Sequence, residues 1–206
     1  MKLVMLSDTH NNFYNIDMPK GDVLIFAGDF SSNGSMNECI RFNNWLKKQN
    51  YKWKLYIPGN HELLFEKNSG FESFISEGIN VNKKLIKINN FNFFGFSYTN
   101  PFNNYGYQMK EDVQEYYFQT IAPNKVDILI THGPPFGILD VDNFGKSLGS
   151  KPLLKYVNRV KPKIHVFGHI HESYGVNKYI LPGTSFYNVS LVKMSKIINK
   201  PVIVEI

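Results

Sequence analysis

The chain has 206 residues, of which 43% are hydrophobic, 15% aromatic and 19% charged, a globular balance that excludes intrinsic disorder. Folding at this length buries roughly 70% of the unfolded chain's surface, so no disulfide staple is needed, and the lone Cys39 cannot form an internal one; a reducing, cytoplasmic setting is expected. The formal charge of +6 comes from scattered lysines, with Arg41 and Arg159 the only arginines, which gives no strong nucleic-acid signal because base readers and phosphate clamps lean on arginine forks.

The N-terminal apolar run is broken at Asp8, too early for a signal segment, and no later run approaches a membrane span. Short β-rich runs then alternate with helical patterns, which predicts an α/β fold with much parallel pairing in one domain over residues 1–206. Strands are expected at Leu3–Ser7, Val23–Ala27, Leu55–Pro58, Leu85–Ile88, Phe91–Phe96, Ile128–Thr131, Ile164–Phe167, Tyr187–Val192 and Val202–Ile206. A helix is expected from Met36 to Gln49, with Ser35 and Glu38 as a capping box and Met36, Cys39, Ile40 and Leu46 as its apolar stripe. Others are expected near His61 or Glu62, over Lys110–Ile121, and between Ser150 and Pro162. Asn89-Asn90 reads as the turn of a hairpin, and Tyr98–Tyr107 as a long polar-aromatic loop.

Five of the 6 histidines fall just after strand runs, beside acidic or amide residues. The clusters are Asp8-Thr9-His10, Gly28-Asp29, Gly59-Asn60-His61-Glu62, His132-Gly133-Pro134 and Gly168-His169-Ile170-His171. In an open α/β sheet the carboxyl ends of parallel strands form the ligand crevice, so these side chains can meet at one point. Carboxylate, imidazole and amide donors without thiolate suit Mn, Fe, Co or Zn. Asp8-x-His10 and His169-x-His171 each put two donors on one side of an extended segment, able to grip one metal or straddle two. His165, inside a strand, is expected to be a packed, hydrogen-bonded histidine.

Taken together, these motifs resemble the calcineurin-like metallophosphoesterase superfamily, over residues 8–171. Asp22-Val23-Leu24-Ile25, Phe42-Asn43-Asn44-Trp45-Leu46, Thr131-His132-Gly133-Pro134-Pro135 and His165–Glu172 resemble the small metallophosphoesterase-domain-containing (MPPED) proteins in particular. The resemblance implies a four-layer α/β/β/α sandwich with two divalent metal ions, Mn2+ foremost and Fe, Co, Zn or Mg as the other options. It assigns Asp8, His10, Asp29 and His171 to one ion and Asp29, Asn60, His132 and His169 to the other, Asp29 bridging. It makes Asn60 and His61 the catalytic pair, with His61 expected to protonate the leaving oxygen or donate a hydrogen bond to the phosphate. The protein Ser/Thr phosphatases carry Gly-Asp-x-x-Asp-Arg-Gly; here the stretch is Gly28-Asp29-Phe30-Ser31-Ser32-Asn33-Gly34, which argues against a protein phosphatase.

The implied activity is a phosphodiesterase that hydrolyses small-molecule phosphodiesters, such as cyclic nucleotides, by in-line attack of a metal-bridging hydroxide. Asn60, His61, His169, Tyr98 and Asn100 are the expected substrate contacts. The alternatives are a metal-bound nucleotide-binding or scaffold protein with little turnover, and a nuclease on polynucleotides. The expected partner is a small phosphate ester rather than a membrane, and the chain is read as a monomer or homodimer.

Overall fold

A computed structural model describes residues 1–193 and 196–206. One sheet has the order β13-β1-β2-β3-β4, from β1 (Lys2–Leu6), β2 (Val23–Ala27), β3 (Trp53–Ile57), β4 (Ile79–Asn80) and β13 (Val202–Glu205). The other has the order β5-β6-β7-β8-β10-β9, from β5 (Leu85–Ile88), β6 (Phe91–Phe96), β7 (Ile128–Thr131), β8 (Ile164–Phe167), β9 (Gly175–Asn177) and β10 (Ser185–Asn188). A small hairpin joins β11 (Val192–Lys193) to β12 (Lys196–Ile197). The helices are α1 (Met36–Lys47), α2 (Leu63–Lys67), α3 (Glu111–Thr120) and α4 (Lys151–Val160).

The layering follows from strand alternation. Leu3, Met5, Val23, Ile25, Leu55 and Ile57 point inward and meet Phe93, Ile128, Ile130, Ile164 and Val166 of the facing sheet. On the outer side, Val4, Leu6, Leu24 and Phe26 pack against Cys39, Phe42, Trp45 and Leu46 of α1. Phe94, Phe96, Leu129 and Phe167 do the same against Phe118 of α3 and Leu153, Tyr156 and Val157 of α4. The result is helix, sheet, sheet, helix: the expected α/β sandwich. Strands buried on both faces read as continuous apolar runs, as parallel strands should.

Four details depart from the sequence reading. Met36 and Ile40 are exposed; the buried stripe of α1 is Cys39, Phe42, Trp45 and Leu46. The expected single strand over Tyr187–Val192 is broken. β10 ends at Asn188, whose amide donates to Ile170 O, and Ser190 then crosses to bridge Ser7 beyond β1. The short helix starts at Leu63 because Glu62 turns its carboxylate back into the preceding loops. β4, β9 and β12 carry no signal in the sequence pattern, being two or three residues long. The Asn89-Asn90 hairpin stands as read, with Ile88 opposite Phe91 and Asn89 at φ 52°.

His165 lies fully buried in β8, its Nε2 2.8 Å from Thr131 Oγ1, whose hydroxyl donates to Gly133 O at 2.7 Å. The imidazole is therefore the donor to Thr131, and its Nδ1 has no partner among the described residues. Burial lowers its pKa from 6.5 to about 3. A depressed histidine keeps its proton off in the folded state while the unfolded chain takes one up below pH 6.5, so stability falls as pH falls, by about 1.4 kcal/mol per unit. His165→Gln keeps a donor for Thr131 and removes the titration. Urea unfolding of metal-free protein at pH 6.5 and 4.5 should show the parent losing on the order of 2 kcal/mol more than the variant; equal losses would contradict the assignment.

Candidate metal centre

Each cluster picked out in the sequence lies at the carboxyl end of its strand: β1 delivers Asp8 and His10, β2 Asp29, β3 Asn60 and His61, β7 His132, β8 His169 and His171. The turns after the strands are tight. Asp8, His10, Asp29 and His169 all have positive φ, at 54°, 43°, 56° and 68°. Non-glycine residues held there cost on the order of 1–2 kcal/mol each and cluster where geometry serves a site. Close approach demands glycine beside them: a Cβ at Gly168 would collide with Asp8 Oδ2 and Ser7 Oγ, and one at Gly28 with the His132 ring.

The donor atoms converge. Ligand atoms of Asp8, His10 and His171 lie within 4.8 Å of one another, as do those of Asp8, Asp29 and His132, and those of His10, Asp29 and His61. His10 Nε2 stands 3.4 Å from His171 Nε2, which is 3.4 Å from Asp8 Oδ1. On the other side of Asp29, His132 Nε2 is 3.3 Å from Asp29 Oδ1 and 2.9 Å from Asn60 Oδ1. Asp29 Oδ2 faces His10 Nε2 at 3.9 Å, so this one carboxylate reaches both halves of the cluster. His169 lies alongside, its ring centroid 5.0 Å from that of His132, and its backbone N–H donates to both Asp8 oxygens at 3.1 and 3.0 Å.

Two buried carboxylates face this group of imidazoles. Burial opposes ionisation of Asp8, yet hydrogen bonding and charge from His171 bring its pKa down to about 2. Asp29 is likewise driven down: burial is outweighed by His132 and His10. Burial works against a charge on His132, but Asp29 lifts it to about 9; His169, buried and facing His132, is pushed down to about 3. A field that draws a proton between Asp29 and His132 would draw a divalent cation to the same place. His132 Nδ1 lies 2.9 Å from Ala27 O and donates to it, so Nε2 is the nitrogen turned inward, and a cation that displaced its proton would find the lone pair aimed as a metal-ligating histidine requires. The oxygen and nitrogen donor set thus fits two divalent ions sharing Asp29.

His61 places Nδ1 2.9 Å from Ser32 O, so Nδ1–H donates there and Nε2 is free at the mouth of the centre; its ring centroid is 4.5 Å from that of His10. Tyr98 and Asn100 lie further out. Both line a cleft of about 700 Å3 that begins at His169 and Ile170. The Tyr98 ring packs 5.5 Å from Phe96 and from Tyr107, with Lys83 Nζ 4.1 Å from its centroid. The Asn100 amide accepts from Gln114 Nε2 at 3.1 Å and donates to Gly149 O at 3.3 Å. The structure also brings Phe102 and Tyr105, from the tip of the same loop, against His169 and His61.

Glu62, to which the sequence reading gave no role of its own, ties the loops together. Its buried carboxylate accepts from the N–H groups of Asp29 and Ser31 at 3.0 and 2.9 Å, from Gly59 N–H, and from Ser31 Oγ at 2.7 Å. Burial and then the Asp29 charge push its pKa up to about 8, against those donors, which favour the ionised form. An acidic residue directly before the apolar Leu63-Leu64-Phe65 was the available signal.

The calcineurin-like phosphoesterase family profile matches residues 1–173, and the chain belongs to that family. It is 38% identical over 192 residues to the UPF0046 protein K07C11.7 of Caenorhabditis elegans, covering 85% of this chain and 65% of that protein. It is 34% identical to human metallophosphoesterase domain-containing protein 1, over 100% of this chain and 71% of the relative. Among solved structures, TT1561 of Thermus thermophilus superposes with a TM-score of 0.63 at 13% identity, over 91% of this chain and 88% of that one, a likeness of fold. No helix among the described residues is long and apolar enough to cross a membrane.

Glu62→Ala strands three buried N–H groups. Urea unfolding should show a loss on the order of 3 kcal/mol, and calorimetric titration a weaker affinity for Mn2+; parental values for both would contradict the role given to Glu62.

Proposed function

We propose that the chain is a two-metal phosphoester hydrolase that prefers phosphodiesters of small molecules, cyclic nucleotides among them. The observation that carries this reading is the convergence of the Asp8, His10, His171, Asp29 and His132 donors within a few ångströms at the strand ends. Two bound divalent ions would activate a water at neutral pH and offset the negative charge on the phosphoryl oxygens. The residues of the chain do the rest. Asp8, His10 and His171 would hold one ion; Asn60, His132 and His169 the other; and Asp29 both.

His61 is held from behind. Ser32 O fixes its Nδ1, so Nε2 points toward the centre, and in the imidazolium form that atom can deliver a proton to the leaving oxygen. Asp29 Oδ1 accepts from the His61 backbone N–H at 2.9 Å, so the same carboxylate that orders the ligands also sets the position of the acid. The diester preference rests on charge. Neither arginine is near the centre: Arg159 donates to Phe118 O on α3, and Arg41 lies over Tyr14. Without an arginine fork, a diester carrying one charge is the easier ligand than a monoester carrying nearly two. A cleft of about 700 Å3 suits a small molecule.

Asp29→Ala should lose bound metal and turnover together, measured by elemental analysis and by hydrolysis of bis(p-nitrophenyl) phosphate under Mn2+. His61→Ala should retain its metal while kcat drops about 10²–10⁴-fold. A metal-loaded His61→Ala protein at the parental rate would remove the acid from the mechanism. Parental protein that cleaved p-nitrophenyl phosphate faster than the diester would reverse the stated preference.

A further inference from the structure

We propose that Phe102 is the specificity element of this centre, stacking a planar ring (an aryl group or a nucleobase) carried by the phosphoester. This rests on the reading of the centre as a phosphoester site and names the class of ester it takes. A continuous arc of rings crosses the mouth of the cluster. His61 adjoins Tyr105 at 4.9 Å between centroids, Tyr105 adjoins Phe102 at 5.0 Å, and Phe102 adjoins His169 at 5.2 Å. Phe102 belongs both to this arc and to the wall of the 700 Å3 cleft, so a group attached to a phosphate held at the centre and lying in the cleft can reach its ring.

Its placement is fixed rather than incidental. The loop is closed at its base by Thr99 N–H donating to Tyr107 O at 2.9 Å, and its C-terminal arm is pinned by Gly106 N–H donating to Asn60 O at 2.8 Å and Tyr107 N–H to Glu66 Oε2 at 2.8 Å. The Gln108 amide donates to the Phe102 carbonyl itself. A ring 37% exposed on a loop so firmly anchored presents a ready apolar surface beside a polar centre. Of the other aromatic side chains on the cleft wall, Phe136 already has the Lys151 ammonium 5.3 Å from its ring centroid, and Tyr98 has the Lys83 ammonium 4.1 Å from its own. Phe102 is the one placed next to a candidate ligand, where a stacked ring and a bound phosphate can be satisfied together.

The test is equilibrium binding to the Mn2+-loaded full chain by calorimetry, using two matched pairs: phenylphosphonate against methylphosphonate, and adenosine 5′-monophosphate against ribose 5-phosphate. The parent should prefer the planar member of a pair, and Phe102→Ala should reduce that preference about 10-fold. Phe102→Leu, which keeps bulk but loses the planar face, should fall between, and Phe102→Trp should restore the preference. Preference confined to the phenyl pair identifies an aryl ester; preference in both pairs admits a nucleobase. No preference in the parent, or one untouched by Phe102→Ala, overturns the proposal. Because the two phosphonates carry no ester bond to hydrolyse, a selectivity in that pair that Phe102→Ala abolishes would stand even if no ester were turned over, and the hydrolytic reading alone would then fall.

Discussion

Everything at this centre depends on a buried carboxylate that several groups compete for. Asp29 is almost wholly enclosed, accepts from the His61 backbone through Oδ1, and lies within 3.3 Å of His132 Nε2 and 3.9 Å of His10 Nε2. A carboxylate removed from water is costly unless positive charge compensates it. Asp8, also buried, adds a second such demand less than a side chain away. The imidazoles cannot all be protonated to meet it, since His169 and His10 are both pushed toward neutrality, chiefly by burial. Divalent cations would meet the demand, since the carboxylate and imidazole lone pairs that could bind them already converge there.

The two-sheet sandwich makes this arrangement possible. Its three apolar layers are built from strands buried on both faces, and they hold the backbone at the strand ends rigid enough to keep Asp8, His10, Asp29 and His169 in left-handed conformations. The sheets also meet at this end. Ser7 N–H donates to Val189 O, Leu191 N–H to Ser7 O, and Gly168 N–H to His132 O, so ligands from both sheets share one hydrogen-bonded rim. Glu62 performs the same service within the first sheet, holding the β2 and β3 loops in one register.

Much of this was legible in the sequence because the same rule wrote both parts. Continuous apolar runs such as Val23–Ala27 and Ile164–Phe167 mark strands covered on both faces, and the polar clusters directly after them mark the ligand edge. What escaped was decided by tertiary contact. β4 and β9 exist only because β3 and β10 offer them an edge, and no two- or three-residue segment announces that. Met36 and Ile40 looked like core by periodicity, but α1 turns Phe42 and Trp45 inward instead. Within the 98–107 loop the residue types were plain, yet which aromatic reaches the centre depends on how the loop closes. Thr99 pairs with Tyr107, and that closure carries Phe102 and Tyr105 against His169 and His61 while Tyr98 packs on Phe96.

The central claim is that one carboxylate is shared between two cations at the ends of these strands. X-ray diffraction from crystals grown with Mn2+, recorded at the manganese absorption edge, tests it directly. Two anomalous peaks roughly 3.5–4 Å apart should appear, with Asp29 between them, Asp8, His10 and His171 around one, and Asn60, His132 and His169 around the other. A single peak, or peaks that leave Asp29 unligated, would contradict the account.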